Sequence, residues 1–525
     1  MAFFFVWILA LFVQQLVAVD SVVDLGYVKY RGSVQNDGVT TWLGMRYARS
    51  TSRVDGRRFT APEDPMQEVG GIQDAAEFGP LCIGTGTHLK LEFRGNFSED
   101  CLFANVFAPT NASSKSKLPV YIFIQGGGFN LNGNANYNGS KLIQAADYNM
   151  VVVNFNYRVG PYGFLASKEV VANKTLSLNN GLKDQRQLMR WVKAHIDKFG
   201  GDPNHVTLGG ASAGAASVVF HLTAYGGRDD KLFQAAAAES QGFPAIRNVK
   251  DSQFAYDALL KQTKCKDLAC MSSMNAVDFQ QAVRSIKMPY PGGKNPPIWF
   301  WNPTLDYDFI RNWTYHEINA GHLVNVPTIF GDATNEGTIF TPNSVISQQR
   351  AETFVGDQYV NFNKTTKDVL EGAFPGPLGT TDNANWKTVA ANIYGHIRYT
   401  CPGLNVSAAY ARYGSFPTYQ YRWNVGGALH VGELGSIWNN GTSAAGDFAQ
   451  NYWQSFIRSY DPNKSAATFN AKSGKVDSPK WEAFGTGGGN RLLFGDNNVV
   501  KMETVTQQER TQCQTIYGLG MQMQQ

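Results

Sequence analysis

The sequence predicts an α/β fold: a mostly parallel central sheet flanked by helices, with insertions above it. Three observations carry this. Residues 118–124 are continuously apolar and 150–155 are so apart from Asn154, the pattern of strands buried on both faces of a parallel sheet rather than half-solvated. A helical stripe follows, with Leu188, Val192, His195 or Ile196, and Phe199 on one face, stopped by Gly200-Gly201 and turned by Asp202-Pro203. Further strand candidates at 205–208, 233–238, 326–330 and 418–423 alternate with helical patterns. Residues 250–310, which include PYPGGKNPP at 289–297, are less regular and read as an insertion over the sheet. The glycine-rich stretch 484–490 reads as a surface loop, with no Lys-Ser/Thr after it to cradle phosphate.

The 525 residues are 43% hydrophobic, enough for a large core. A net charge of +4 with no basic run argues against nucleic acid or anionic membrane surfaces as partners. The chain opens MAFFFVWILALFVQQLVAVD, wholly apolar from Ala2 to Val13. That run is shorter than the roughly 18–20 residues a bilayer span needs, and it fits a signal peptide cleaved near Ala18. The expected organisation is therefore a leader over 1–18 and one domain over 19–525, secreted to the extracellular space. Sequons at Asn96, Asn111, Asn138, Asn173, Asn312, Asn363, Asn405, Asn440 and Asn463 suggest a glycosylated surface. The six cysteines, Cys82, Cys101, Cys265, Cys270, Cys401 and Cys513, match no zinc spacing and contain no Cys-x-x-Cys, so disulfides in an oxidising compartment are the simpler reading. The C-terminus carries neither a retention signal nor an anchor tail. No stable membrane anchor, metal or cofactor is expected, and the oligomeric state is left open.

The chemistry centres on Gly210-Ala211-Ser212-Ala213-Gly214, a G-x-S-x-G between a strand and a helix. In that context a serine sits on a strained turn at the strand's carboxyl end, and small neighbours let strand and helix approach closely. A serine needs a base, and the base needs a carboxylate to orient it, in the chain order Ser, Asp/Glu, His. Of the eight histidines only His396 and His430 lie well downstream; His396 sits in a helical pattern, His430 in the glycine-rich loop NVGGALHVGELG after a strand. For the acid, Asp332 and Glu336 both follow the strand VNVPTIF, and spacing does not choose between them. Gly126-Gly127-Gly128 after strand 118–124 can turn backbone N–H groups toward an oxyanion, with the N–H of Ala213 as a further donor.

These segments together resemble the type-B carboxylesterase/lipase family, the cholinesterase-like branch of the α/β-hydrolases. SEDCLFANVFAP (98–109), IFIQGGGF (122–129), NFNYRVGPYGFLA (154–166), NNGLKDQRQLMRWV (179–192) and FGGDPNHVTLGGASAGA (199–215) look like family signatures in family order. The resemblance implies the α/β-hydrolase fold and a Ser212, Glu336, His430 triad, with NEG at 335–337 and GALH at 427–430 as the acid and histidine motifs. It implies oxyanion donors at Gly127, Gly128 and Ala213, and disulfides Cys82–Cys101, Cys265–Cys270 and Cys401–Cys513. Phe129 and Trp299 fall near the acyl pocket, where a bulky Trp299 would favour shorter or flatter acyl groups. Two departures from the pattern stand out. Ala211 replaces the Glu that often precedes the nucleophile. The 18 residues between Cys82 and Cys101 contain no tryptophan, so a quaternary-ammonium platform is missing there, and the loop looks too short for a large lipase lid. The expected activity is hydrolysis of small to medium carboxylic esters through an acyl-enzyme. The alternatives are a lipase or sterol esterase acting on lipid esters, and a non-catalytic adhesion or scaffold protein on the same fold.

Overall fold

The computed structural model describes residues 21–68, 70–87, 97–132, 135–288, 290, 295–374, 385–439, 443–466, 468–471, 474–485 and 489–525. The leader over 1–18, the sequons at Asn96 and Asn440, and parts of the 289–297 and 484–490 segments lie outside them.

The chain builds an 11-stranded sheet. Its strands are β1 (Ser33–Val34), β2 (Val39–Arg46), β3 (Phe103–Pro109), β4 (Leu118–Ile124), β5 (Val151–Phe155), β6 (Gly201–Ala211), β7 (Ala235–Glu239), β8 (Thr328–Ala333), β9 (Thr418–Asn424), β10 (Asn490–Gly495) and β11 (Val500–Thr504). Their spatial order is β11-β10-β9-β8-β7-β6-β4-β5-β3-β2-β1. The seven strands from β10 to β5 pair in parallel; the pairs outside them at both edges are antiparallel. Alternate residues of β4 enter two different cores. Val120, Ile122 and Ile124 pack with Leu188, Val192 and Val218 on one face, and Tyr121 and Phe123 pack with Trp438, Trp453 and Tyr452 on the other. Both sets are buried, which is why the strand reads as continuously apolar. A third core lies under the insertion, whose helices span Val249–Thr263, Leu268–Ser273 and Ala276–Ser285.

Several boundaries move from those the sequence suggests. The strand read at 205–208 extends over Gly201–Ala211 with a register shift between Gly201 and Val206, so Asp202-Pro203 is absorbed as a bulge instead of turning the chain. The strand read at 326–330 continues to Ala333, which puts Asp332 inside it. The amphipathic helix α1 (Asn180–His195) passes into a 3₁₀ turn over Ile196–Phe199 and ends at Gly200, whose φ is 88°.

All six cysteines are paired, as Cys82–Cys101, Cys265–Cys270 and Cys401–Cys513. Of the described sequons, Asn111, Asn138, Asn173 and Asn363 are exposed and Asn312 is half-buried. Two fit the expected glycosylation poorly. Asn405 is buried in a helix with its amide donating to Asn319 Oδ1 at 3.2 Å. Asn463 donates to Asp461 Oδ1 and to the Trp481 carbonyl, both at 3.0 Å. A glycan on either nitrogen would displace those contacts.

Buried charges tie the signature segments together. Arg158 meets Asp184 of α1 through Nε at 2.8 Å and Nη2 at 2.7 Å, and its backbone N–H adds a third bond at 3.1 Å. Both side chains are buried. Removing one member of such a pair strands the other charge, so Asp184→Ala should lower stability by about 3–5 kcal/mol, read from the denaturant midpoint. A buried pair of acids lies at the carboxyl end of the sheet. Glu239, the last residue of β7, sits beside Tyr121 and Glu433, and burial together with the Glu433 charge pushes its carboxyl well above the usual range. Burial pushes Glu433 up to about 7, although the Tyr421 hydroxyl donates to it. The folded chain therefore binds the Glu433 proton more tightly than the unfolded chain does. The stability that proton confers is complete below the ordinary glutamate range and is lost as pH rises through about 7. Glu433→Gln should flatten that part of the pH–stability curve and raise the melting temperature at pH 8 relative to the parent chain.

Candidate active site

The sheet order reverses at β4: the chain runs from β4 to β5 on one side, then crosses to β6 on the other. In open α/β sheets the crevice at such a point, beyond the carboxyl ends of the strands, is where ligands sit. Gly126–Gly128 follow β4 and Ser212 follows β6, so both flank this crevice.

Ser212 joins β6 to the helix α2 (Ala213–Gly227) at φ 58° and ψ −119°. A non-glycine residue there costs on the order of 1–3 kcal/mol and must be held by its surroundings. The hold is visible: the Ser212 N–H donates to the Glu239 carbonyl at 2.9 Å, and the Ser212 carbonyl accepts from Ala216 at 2.9 Å. The flanking glycines are fixed by contact. A Cβ on Gly214 would lie 2.0 Å from the Ile124 carbonyl oxygen, and one on Gly210 would lie 2.6 Å from the Gly214 backbone. The helix start thus presses onto the end of β4, and no side chain fits between them.

His430 and Glu336 come from the loops after β9 and β8, which are stitched together. The Thr334 N–H donates to the Trp423 carbonyl and the Asn335 N–H to the Ala428 carbonyl, both at 2.9 Å, and Asn335 bridges to Leu429. His430 Nε2 lies 2.8 Å from Ser212 Oγ, and His430 Nδ1 is hydrogen-bonded to Glu336 Oε2. The other Glu336 oxygen accepts from the Ala333 N–H at 2.7 Å. Glu336 is 2% exposed, so its charge is screened by protein partners rather than water. The imidazole is also packed: the Tyr399 ring lies 4.4 Å away and the Phe340 ring 5.0 Å, centroid to centroid. The following N–H, of Val431, donates to Ser240 Oγ at 3.3 Å.

Of the two carboxylates that spacing left open, Glu336 is the one that reaches His430. Asp332 is buried in β8 and faces Gln420 and Thr400, at 3.2 and 3.4 Å, and burial pushes its carboxyl well above the usual range. His396 packs on Phe374 and bonds the Asn392 carbonyl. Gly127 and Gly128 adopt φ of 116° and 61°. Among the described residues the N–H groups of Gly127, Gly128 and Ala213 donate to no protein acceptor. A cavity of about 160 Å³ opens beside Ser212 and His430, walled by Tyr137, Trp299, Ile339, Phe340, Val431 and Leu434. Trp299 lies so close to Gly128 that a Cβ there would fall 2.3 Å from the indole. Phe129 departs from the acyl-pocket expectation. It is fully buried against Phe164 and Phe220 in the third core, because its own φ of 63° turns the side chain away from the glycine loop's cavity. Tyr399, Phe340 and Ser240 were not legible from the sequence. Only Ser240 carried a signal, as the first residue past a strand adjacent to the serine strand. Among the described residues no group of three or more His, Cys, Asp or Glu is placed to hold a metal, and no helix is long and apolar enough to cross a membrane.

An imidazole between a serine hydroxyl and a buried carboxylate, facing three free N–H groups across a cavity, is equipped to deprotonate the hydroxyl and stabilise an oxyanion. Comparison with known proteins points the same way. The chain matches the model of the Carboxylesterase family over residues 20–514. It is 27% identical to secreted lipase 4 of Gibberella zeae over 87% of this chain and 86% of that protein. It is 30% identical to the para-nitrobenzyl esterase of Bacillus subtilis over 80% and 83%. Among solved structures, Aspergillus niger EstA superposes with a TM-score of 0.87 at 36% identity, covering 96% of this chain and 99% of that one. The chain belongs to the carboxylesterase family and is a carboxylic ester hydrolase with the α/β-hydrolase fold.

Proposed function

We propose that this hydrolase cleaves esters of small to medium acids through an acyl-enzyme on Ser212. The observation that carries the reading is the 2.8 Å contact between Ser212 Oγ and His430 Nε2 at the cavity wall. His430 Nε2 takes the Ser212 proton as Oγ bonds to the ester carbonyl carbon. The resulting oxyanion is held by the N–H groups of Gly127, Gly128 and Ala213, which have no competing acceptor to release. His430 then gives its proton to the departing alkoxide, and the carbon–oxygen bond breaks. Water, deprotonated by the same nitrogen, attacks the acyl carbonyl and frees the carboxylic acid and Ser212. Glu336 fixes the imidazole tautomer and stabilises the imidazolium in each half-reaction.

The cavity is small beside the roughly 300–1,000 Å³ of pockets that hold drug-sized ligands, and Trp299 occupies its wall. That supports short acyl groups. Relatives named as secreted lipases favour a second reading, lipid esters. The same names support export, with residues 1–18 as the cleaved leader and glycans at Asn111, Asn138, Asn173 and Asn363.

Two measurements test this. Ser212→Ala should reduce p-nitrophenyl acetate turnover by about 10⁴-fold or more and abolish labelling by a fluorophosphonate probe; undiminished turnover would overturn the assignment. Trp299→Ala should raise the octanoate-to-acetate ratio of kcat/KM by roughly tenfold, about 1.4 kcal/mol of discrimination. A rate jump above the solubility limit of a triglyceride would instead favour the lipid-ester reading.

A further inference from the structure

A second cavity, of about 310 Å³, lies apart from the Ser212 crevice. Two helical stripes form it. Leu404, Ala408 and Arg412 are spaced four apart on the helix Cys401–Tyr413, and Arg510, Cys513, Gln514 and Tyr517 line one face of the helix Gln507–Gly518. Phe484, Gly485, Gly489 and Val505 line it on the remaining side. The Cys401–Cys513 disulfide ties the two helices, so the walls are fixed relative to one another. The interior is apolar: Leu404, Phe484, Val505 and Cys513 are all buried. Among the described residues, the polar groups contributed to it are basic or neutral, and no aspartate or glutamate lines it.

The two guanidiniums differ. Arg510 donates to the Val505 carbonyl and to Gln507 Oε1, which fixes it in place. Arg412 is exposed and lies over the Tyr413 ring, 5.7 Å from its centroid. Among the described residues no carboxylate lies within ion-pair distance of Arg412. A largely apolar, disulfide-braced pocket with an exposed cation in its wall is complementary to an amphiphile with an anionic head. Its volume holds on the order of ten water-sized groups, the bulk of a medium-length alkyl chain.

We propose that this cavity binds an aliphatic carboxylate, with the alkyl chain between the two helices and the carboxylate on Arg412. Such an acid belongs to the class of product that an ester hydrolase releases. The site is separate from the triad and its occupancy does not depend on the serine mechanism.

Calorimetric titration of the full chain with decanoate, below its micelle concentration, tests the proposal. One saturable site is expected, weakened at least fivefold by Arg412→Gln and abolished by Ala408→Trp, which fills the cavity. Decanol, with the same chain and no charge, should bind at least fivefold more weakly than decanoate. Absence of saturable binding overturns the proposal. Binding unchanged by Arg412→Gln overturns it too, since the acid then sits elsewhere, the Ser212 crevice included. Equal affinity for decanol and decanoate removes the carboxylate from the assignment. Arg412 is exposed, so Arg412→Gln keeps the test available if Ala408→Trp does not fold.

Discussion

Everything at the site depends on four neighbouring strands, β6 to β9, running parallel and in register. Their carboxyl ends then lie side by side, and the loops leaving them are joined in sequence: Ser212 to Glu239, Ser240 to Gly331, Asn335 to Ala428. These are backbone bonds, each worth only about 1 kcal/mol net, but they set the spacing of residues 218 positions apart. A hydroxyl and an imidazole on loops free to move would give up ordering entropy each time they met. Here that entropy is already lost in folding the sheet.

The same end of the sheet concentrates features that do not favour stability by themselves. Ser212 holds a strained backbone, three N–H groups lack protein acceptors among the described residues, and the carboxyls of Glu336, Glu239, Glu433 and Asp332 are all buried. Two of these acids are treated in opposite ways. Glu336 keeps partners on both oxygens, an imidazole and a backbone N–H. Glu239 is buried and faces another carboxyl, and together these push its own carboxyl well above the usual range. An upward shift of this carboxyl favours its neutral form, which limits the negative charge close to where an oxyanion would develop in a region of low dielectric. Ala211, standing immediately before Ser212, adds no charge there either.

The architecture was legible because it is local and periodic. Continuous apolar runs announced β4 and β5, and the G-x-S-x-G sterics are written in small residues that the Ile124 carbonyl requires. The elements that failed are those decided by tertiary contact. Pro203 suggested a turn, yet β6 begins before it because Gly201 pairs with Leu118 across the bulge. Asp332 and Glu336 were inseparable by spacing, since what separates them is that β8 runs on to Ala333 and carries Asp332 into the sheet while Glu336 lies beyond its end. Phe129 follows three glycines that line the site, and only its own backbone conformation sends its ring into the core. Tyr399 and Phe340 reach His430 from distant segments with no motif of their own.

The contact between the insertion and the glycine loop suggests how one scaffold separates chemistry from selectivity. Asn130, just past Gly126–Gly128, donates to the Gly128 carbonyl at 2.6 Å and to the Trp301 carbonyl at 3.1 Å, and its Oδ1 accepts the Trp301 N–H at 3.1 Å. One buried side chain therefore fixes both the peptides that would hold an oxyanion and the segment that presents Trp299 to the cavity. The indole in turn occupies the space that a Cβ on Gly128 would need, so the glycine loop and the cavity wall are shaped by each other. A substitution in the insertion can thus alter the accessible length of the cavity while the strand ends keep their register. A substitution at Asn130 would disturb both at once, because it removes a side chain that bonds the two segments together.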